Sequence, residues 1–588
     1  MSRLERVRAS LAEQRLDAFV LPRSDTWLNE DVAPADERLL WLSGFSGSVG
    51  LALLTAEAAA LLVDGRYRAQ AEEECGRQMQ ILELDDQALL GFLRQHLAVG
   101  ARVGCDPSLH SAAEDQRWQA LCEQAGLVWC QVPCNPVDAH WLGRPPLPAS
   151  TVQAQALELA GAHAEDKLQT LLVALDQARC SALWLPAPDM LAWLLNVRGQ
   201  DLDIAPLPFS CGLLHGSGRL DWFIDAQRLH LPEGWLPTAV QVRPLAQLPG
   251  IIQTLGATGQ RVWLDPQSCN ALTYRQFVDS GCPLYQAANP LLLLRAIKHP
   301  RELAGSHRAH HLDGLALCRF LHEFEQHCAR FVGQSELAVV ESLQRWRRLS
   351  ADYRGVSFPT IAAAGPNGAQ PHYLPQPGRA AKLRRGQLLL IDSGGQYPQG
   401  TTDVTRVLPA SAPTPRQRYL YTTVLRAHIA LAGCIFPEGT SGQRLDSVAR
   451  QVLWREGLDY AHGTGHGVGS YLQVHEGPQR IAPQASAVAL QVGMLTSIEP
   501  GVYLPGELGI RIENLYEVVA AEGHPGFLGF RVLTLAPLAG ELIDRQRLSL
   551  EEAQWLDAYH AHVWACLGAD LEPAVGQWLK RQVAPHNL

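Results

Sequence analysis

Two pairs of acidic residues lie where a polypeptide tolerates charge least, and they constrain the fold more than any other feature of the chain. Leu389, Leu390 and Ile391 make the apolar run of a buried strand, yet the run ends on Asp392. Eleven residues later Asp403 sits in a second strand-like run, TTDVTRVL, and the YPQG between them is a turn signal. In SIEPGVYLPGELGIRIEN, Glu499 and Glu513 flank LPGE in the same manner, with their midpoint at Gly506; the midpoint of Asp392 and Asp403 falls on Tyr397-Pro398. Each pair reads as two acids facing each other across turn-linked antiparallel strands. Like charges directly opposite destabilise a sheet, and unpaired buried charge is costly, so the pattern calls for a cation between the acids.

Between the two hairpins runs AHGTGHGVGSYLQVHEGP, with His462, His466 and His475. His462 and His466 have helical spacing, but five glycines in the stretch argue against a helix and for a loop or short strand where backbone approaches a crowded site. Val468 stands where G-x-G-x-x-G needs its third glycine, and no Lys-Ser/Thr follows, which excludes a phosphate loop. Upstream, GPNGAQPHY supplies His372, which gains meaning only beside the others. Two Asp, two Glu and one imidazole suit manganese or a similar divalent ion better than a tetrahedral structural zinc. Two such ions sharing the carboxylates would hold a water, provide hydroxide at neutral pH and polarise a carbonyl. H-E-x-x-H and G-x-S-x-G are both absent, so zincin and serine-hydrolase chemistry have no support. Structural ion pairing is the competing account of the acids, and it leaves the glycine-rich histidine loop unexplained.

The 588 residues exceed a single hydrophobic core and predict about three or four domains. Hydrophobic content of 47% with 18% charged residues describes an ordinary soluble protein, and the net charge of −10 is spread without a basic stripe, against nucleic-acid binding. MSRLERVRASLAEQRL has no apolar core of a secretory signal, and no window is long enough for a membrane span. The 13 cysteines, scattered without a CxxC pair, read as free thiols in a reducing compartment and predict a cytoplasmic protein.

RVRASLAEQRL reads as an amphipathic helix, DAFVLP as a strand, and LALLTAEAAALLVD as two short strands around a turn. Trp41-Leu42-Ser43-Gly44 followed by Leu62-Val63-Asp64 resembles Trp193-Leu194-Leu195-Asn196 followed by Phe223-Ile224-Asp225, a weak internal repeat that suggests two α/β domains of one design. The proline-rich Gly143–Ser150 divides them. Pro300 opens a long helix whose His307, His310 and His311, near Asp313, read as a solvated face rather than a metal cluster. Near the end, Ser549 and Glu552 make a capping box. Trp555, Tyr559 and Val563 then form an apolar stripe that needs a cover, from this chain or from another subunit.

IDSGGQYPQGTTDVTR, HGTGHGVGSYLQVHEGP, IEPGVY and GIRIEN together resemble the dinuclear metallopeptidases of the pita-bread fold. Within them the chain is similar to the three-domain, cytosolic-type Xaa-Pro aminopeptidases (aminopeptidase P). FSGSVG with VDGRYRAQAE resembles the family's first domain, AWLLNVRG its second, SFPTIAAAGPNGAQPHY its catalytic domain, and LTLAPLAGELID with the following helices its C-terminal extension. The resemblance implies an α/β (α+β) protein: two creatinase-N-like α/β domains at 1–145 and 146–294, a pita-bread catalytic domain at 295–540 and a helical extension at 541–588. It implies Asp392, Asp403, His466, Glu499 and Glu513 as ligands of two divalent ions, Mn2+ first with Co2+ or Zn2+ as alternatives, and Asp403 and Glu513 as bridges. Glu499 would also shuttle the proton. His372, His462 and His475 would line the substrate, with His475 and His372 near the developing oxyanion, and Tyr503 and Arg511 would serve as partners beside the metal and substrate. Ile498 stands where some cytosolic members carry an acid, which affects no ligand.

The implied activity is hydrolysis of the bond between any N-terminal residue and a penultimate proline, by attack of a metal-bridging hydroxide. Proline makes that bond a tertiary amide, which metal polarisation can attack without any amide N–H contact. The implied partners are peptides beginning Xaa-Pro and a second copy of the chain in a homodimer, with neither nucleic acid nor membrane. The alternatives are an Xaa-Pro dipeptidase (prolidase), which the length of the chain disfavours, and a pita-bread binding module that has lost its metal.

Overall fold

The apolar runs of the first 290 or so residues become two six-stranded sheets with one strand order. The computed structural model describes residues 2–584. They fall into two compact units, the first comprising the chain up to Gln155 together with Ala162–Leu202 and Pro206–Leu291. Its first sheet runs Gln80–Glu83, Ala59–Val63, Leu51–Thr55, Ala18–Pro22, Arg102–Cys105, Val128–Gln131. Its second runs Val240–Arg243, Leu220–Phe223, Cys211–His215, Ala182–Leu185, Val262–Leu264, Leu284–Gln286. In both, the first, second and third strands of the chain are antiparallel neighbours, and the outer strands join in parallel.

The weak sequence repeat therefore marks a real structural one. Trp41–Gly44 ends the helix Arg38–Ser43, with Gly44 as a left-handed cap at φ 82°. Trp193–Asn196 closes the helix Pro188–Leu194, and Asn196 has φ 54°. Glycine and asparagine are the residues that adopt this conformation most readily, which is why these positions match while their surroundings do not.

The second unit comprises Ala156–Gly161, Asp203–Ala205 and the chain from Leu292 onward. Helices Pro300–Gln326 and Glu336–Arg347 precede a three-stranded sheet in the order Ile361–Ala364, Leu388–Ser393, Val404–Pro409. Helices Pro415–Ala432 and Gly442–Trp454, with the short strand Phe436–Pro437 between them, then lead to a four-stranded sheet in the order Phe436–Pro437, Phe527–Val532, Asn514–Ala520, Leu495–Ile498. A helix pair followed by a sheet thus occurs twice. The C-terminal helices Leu550–Leu567 and Pro573–Gln582 pack on the core shared by the first helix and the first sheet. Among the described residues no helix is long and apolar enough to cross a membrane.

Several expectations about the helices hold locally. Pro300 occupies the first turn of its helix, and Ser549 and Glu552 form the capping box. The apolar stripe is covered within its own unit: Val563 and Tyr559 are buried, and Trp555 stacks on Tyr559 and meets His428 edge-on. It makes no demand for a second subunit.

The solvated histidine face holds at His307, which is exposed, and needs correction at His310 and Asp313. His310 is buried, and Asp313 is locked in a buried ion pair with Arg347 at 2.7 Å, while His307 and His311 reach Glu517 and Asp570. Burial pushes His310 down to about 4 and His428 down to about 3. The unfolded chain takes up these protons near 6.5 and the folded chain refuses them, so the associated stability is complete above pH 6.5 and is lost as pH falls toward 4. Each histidine then contributes a slope of about 1.4 kcal/mol per pH unit. Urea unfolding followed from pH 7 to 4.5 should show this decline, and His310→Gln should make it shallower. An unchanged slope in that variant would remove His310 from the account.

Candidate metal centre

Strand register decides how the four acids meet. Asp392 lies opposite Thr405 in the pair Leu388–Ser393 with Val404–Pro409, and the same register continues through the small hairpin of Gly395–Tyr397 and Gly400–Thr401. Asp392 and Asp403 are therefore diagonal neighbours on one face, not directly opposed residues: the true register is two residues from the symmetrical reading around Tyr397-Pro398. The second pair agrees with its sequence midpoint. Leu495–Ile498 pairs with Asn514–Ala520 in the same register that joins Gly501–Leu504 to Leu508–Arg511. Glu499 and Glu513 occupy the break between these two ladders, where the ribbon leaves one sheet and enters the hairpin. The bridge from Thr405 to Glu513 stitches the two acid pairs together.

Asp403, His466 and Glu513 bring one potential ligand atom each within 4.8 Å of one another. His466 Nε2 lies 3.5 Å from Asp403 Oδ2 and 3.5 Å from Glu499 Oε1. Asp392 stands beside this group, its field acting on both Asp403 and Glu513. His466 Nδ1 contacts the carbonyl oxygen of Gly467 at 2.9 Å. That carbonyl can only accept, so Nδ1 donates and Nε2 is the nitrogen turned toward the carboxylates, the tautomer fixed in many metal-ligating histidines.

Burial pushes the Asp403 carboxyl up to about 7, with the charge of Asp392 adding to it and the neighbouring His466 imidazole acting the other way. Burial, then Asp403, Asp392 and Glu499, raise Glu513 well above the ordinary carboxylate range. Asp392 Oδ1 and Asp403 Oδ1 are buried acceptors without a hydrogen-bond partner. Orphaned carboxylate oxygens converging with an imidazole nitrogen are what divalent cations neutralise. The residues present fit such ions.

The surrounding hydrogen bonds run in one direction. Arg511, buried, donates from Nη2 to Asp392 Oδ2 (2.6 Å), from Nη1 to the Tyr503 hydroxyl (2.6 Å) and from Nε to Thr405 Oγ1 (3.1 Å). Since arginine only donates, Thr405 must send its single proton to Glu513 Oε2 (2.7 Å), and Tyr503 sends its own to His462 Nε2 (2.8 Å). His462 Nδ1 then donates to Gly463 O at 2.7 Å. Arg511 is thereby tied to Asp392, Thr405 and Tyr503, beside the acids of the site. Tyr503 is half-buried between Arg511 and His462.

The histidines occupy three separate loops. His462 is held from the helix Gly442–Trp454, where Arg450 donates to the carbonyls of Tyr460 and His462 at 2.7 Å each and pairs with Asp446. His475 is exposed, its ring edge-on to His466 with centroids 4.3 Å apart, and the adjoining Glu476 is buried in an ion pair with Lys298. His372 is half-buried and follows the turn Gly365–Ala369, which packs against the hairpin carrying Tyr503 and Arg511. Two contributors escape a reading based on acids and histidines. Thr405 binds Glu513, and Ser497 donates to Glu499 Oε1 at 3.1 Å while accepting from the His466 amide. Each lies two residues from an acid of the site along its strand, so strand alternation alone points to them.

Comparison with known proteins places this geometry. The model of metallopeptidase family M24 matches residues 304–520, which defines the class. Creatinase/prolidase N-terminal domain models match residues 3–137 and 143–302, and the C-terminal region of peptidase M24 matches 526–586. Aminopeptidase P1 of Lotus japonicus is 33% identical over 640 residues, covering 97% of each chain. The probable Xaa-Pro aminopeptidase P of Botryotinia fuckeliana is 35% identical over 612 residues, covering 99% of this chain and 92% of that one. The crystal structure of X-prolyl aminopeptidase from Caenorhabditis elegans, described as a cytosolic enzyme with a di-nuclear active site, superposes with a TM-score of 0.94 at 31% identity over 99% of both chains. The Xaa-Pro dipeptidase of Bacillus anthracis, 23% identical with a TM-score of 0.51, covers 64% of this chain and shares the fold. The chain belongs to the aminopeptidase P family. Its second unit is accordingly a pita-bread domain with a C-terminal helical region, preceded by creatinase-N-like domains.

Proposed function

We propose that this protein is a metal-dependent Xaa-Pro aminopeptidase, which releases one N-terminal residue from peptides whose second residue is proline. The observation that carries the reading is the convergence of Asp403, His466 and Glu513, with orphaned oxygens on Asp392 and Asp403, in a chain that aligns with aminopeptidase P over nearly its whole length. Asp392, Asp403, His466, Glu499 and Glu513 would hold two divalent ions, manganese by preference for this oxygen-rich set. When bound, the ions supply Lewis-acid polarisation of the scissile carbonyl and lower the pKa of the attacking water.

The protein's own groups supply the rest. Ser497 occupies Oε1 of Glu499, which leaves Oε2 to take the proton of the attacking water and pass it to the proline nitrogen. His475, with His372, donates to the carbonyl oxygen as it gains charge. The Tyr503 ring, braced by Arg511 and His462, offers a wall for the proline ring. The reading carries with it domains at 1–145, 146–294, 295–540 and 541–588, supported by the repeated sheet and the C-terminal helices. Residence in the cytoplasm is supported by 13 cysteines that are all free thiols. A homodimer is part of the same reading, and sedimentation at micromolar concentration tests it; a strict monomer removes it.

The decisive assay removes metal by chelation, restores manganese and compares three substrates with one first residue. Xaa-Pro-Yaa should be cleaved with clearly higher kcat/KM than Xaa-Pro, because a dipeptidase must bind the free proline carboxylate and Arg511 is already committed to Asp392. Xaa-Ala-Yaa should lose most of the activity, since the packing and fixed φ of proline are both lost. Equal or better cleavage of the dipeptide would put prolidase first. No cleavage after manganese addition would leave a binding module.

A further inference from the structure

We infer that Glu336 is a positioning residue for the proposed reaction, fixing the loop that presents His372. Glu336 opens the helix Glu336–Arg347 and its side chain is fully buried. Oε1 accepts from the Ala364 amide at 2.8 Å and Asn367 Nδ2 at 2.9 Å; Oε2 accepts from the Tyr373 hydroxyl at 2.7 Å and the Ala381 amide at 2.7 Å. All four donors belong to one segment, 364–381, and His372 is the neighbour of one of them. The Glu336 amide closes the ring by donating to Ala381 O at 3.0 Å. A carboxylate presents acceptors only, so a single side chain gathers both ends and the middle of a loop that has little regular structure.

The opposite face of the segment is fixed by contact with backbone. A Cβ on Gly509 would lie 1.6 Å from Gly368 O, so the turn Gly365–Ala369 rests directly on the strand Leu508–Arg511. Gly365 holds φ +57° against Gln387. The segment is thus clasped between Glu336 and the hairpin bearing Tyr503 and Arg511. Such a clasp sets His372 relative to that hairpin without Glu336 touching substrate. Catalytic groups need this support, because small displacements cost large factors in rate.

The inference rests on the reading of His372 as a substrate-side residue, and the test separates the two. Glu336→Gln keeps the volume but turns an NH2 toward amide donors, so one end of the segment loses its acceptor. Hydrogen exchange of the manganese-loaded protein should quicken across 364–381, with the strand Leu388–Ser393 unchanged. The variant should lose about 10- to 100-fold in kcat/KM on Xaa-Pro-Yaa with manganese content unchanged. The double variant with His372→Ala should fall little below His372→Ala alone, the coupling expected of one device. Unaltered exchange in 364–381 overturns the inference whatever the enzyme does. Faster exchange with losses that multiply independently confines Glu336 to a structural role and also overturns it. A His372→Ala variant with full activity defeats the reading of His372 instead. Should Glu336→Gln fail to fold, Tyr373→Phe removes one of the four donors and is expected to give the same pattern at smaller amplitude.

Discussion

Glu513→Ala should abolish metal loading and turnover together, and Asp403→Ala should do the same. Both side chains lie in the three-residue convergence, and Glu513 is the more deeply committed: Thr405 holds one of its oxygens, and the remaining coordination capacity faces Asp403 and His466. Losing an outer partner of a metal typically costs about 10- to 100-fold, and loss of a ligand should exceed that. Glu513→Gln adds a second, opposite expectation. Burial and the neighbouring acids raise the Glu513 carboxyl well above its usual range, so its ionised form opposes folding at neutral pH when no cation is present. The metal-free glutamine variant should therefore melt at or above the temperature of the metal-free parent, and below the manganese-loaded parent. Metal analysis, turnover and melting with and without chelator supply the three readouts. A Glu513→Ala variant with full manganese occupancy and activity would eliminate the metal-centre reading.

The second large effect belongs to His475. Its alanine variant should lose about 100- to 1,000-fold in kcat, the range for removing a donor to a developing oxyanion, while manganese content stays normal. Stability should barely change, because the ring is exposed and lies edge-on to His466. His462→Ala should cost less, about 10- to 100-fold, acting through Tyr503, which it accepts from, and through the loop that Arg450 holds. Loss of manganese from His475→Ala would make it a ligand and require the five-residue set to be redrawn.

The acids were legible because burying charge is so unfavourable that four carboxylates in strand context leave few explanations. Their partners were not. Thr405 and Ser497 are ordinary strand residues by propensity; strand alternation puts them on the face of the acids, but the bonds their hydroxyls make appear only in three dimensions. The diagonal offset of Asp392 and Asp403 escaped the sequence midpoint because the real turn centre lies between Pro398 and Gln399. The second hairpin has its centre at Gly506, whose φ of +77° permits the turn, and there the midpoint was right. His310 and Asp313 misled for a different reason. Polar residues in a helix signal solvent by default, and nothing local reveals that Arg347, thirty-four residues on, waits to pair with Asp313. Glu336 was invisible in the same way, since its four partners lie downstream in a segment with almost no pattern.

The paired sheets of the first unit bear on what a repeated fold can forget. One strand order appears twice, yet aside from a few short matches the two stretches of sequence share little. Side chains in a core are interchangeable so long as volume and pattern persist, and that freedom lets two copies drift apart without limit. A left-handed helix end allows less freedom, because a side chain there crowds its own backbone at a cost that glycine avoids and asparagine bears most easily. Gly44 and Asn196 are two answers to one such demand. In a duplicated fold the backbone keeps the record of common design, and it keeps it at the corners.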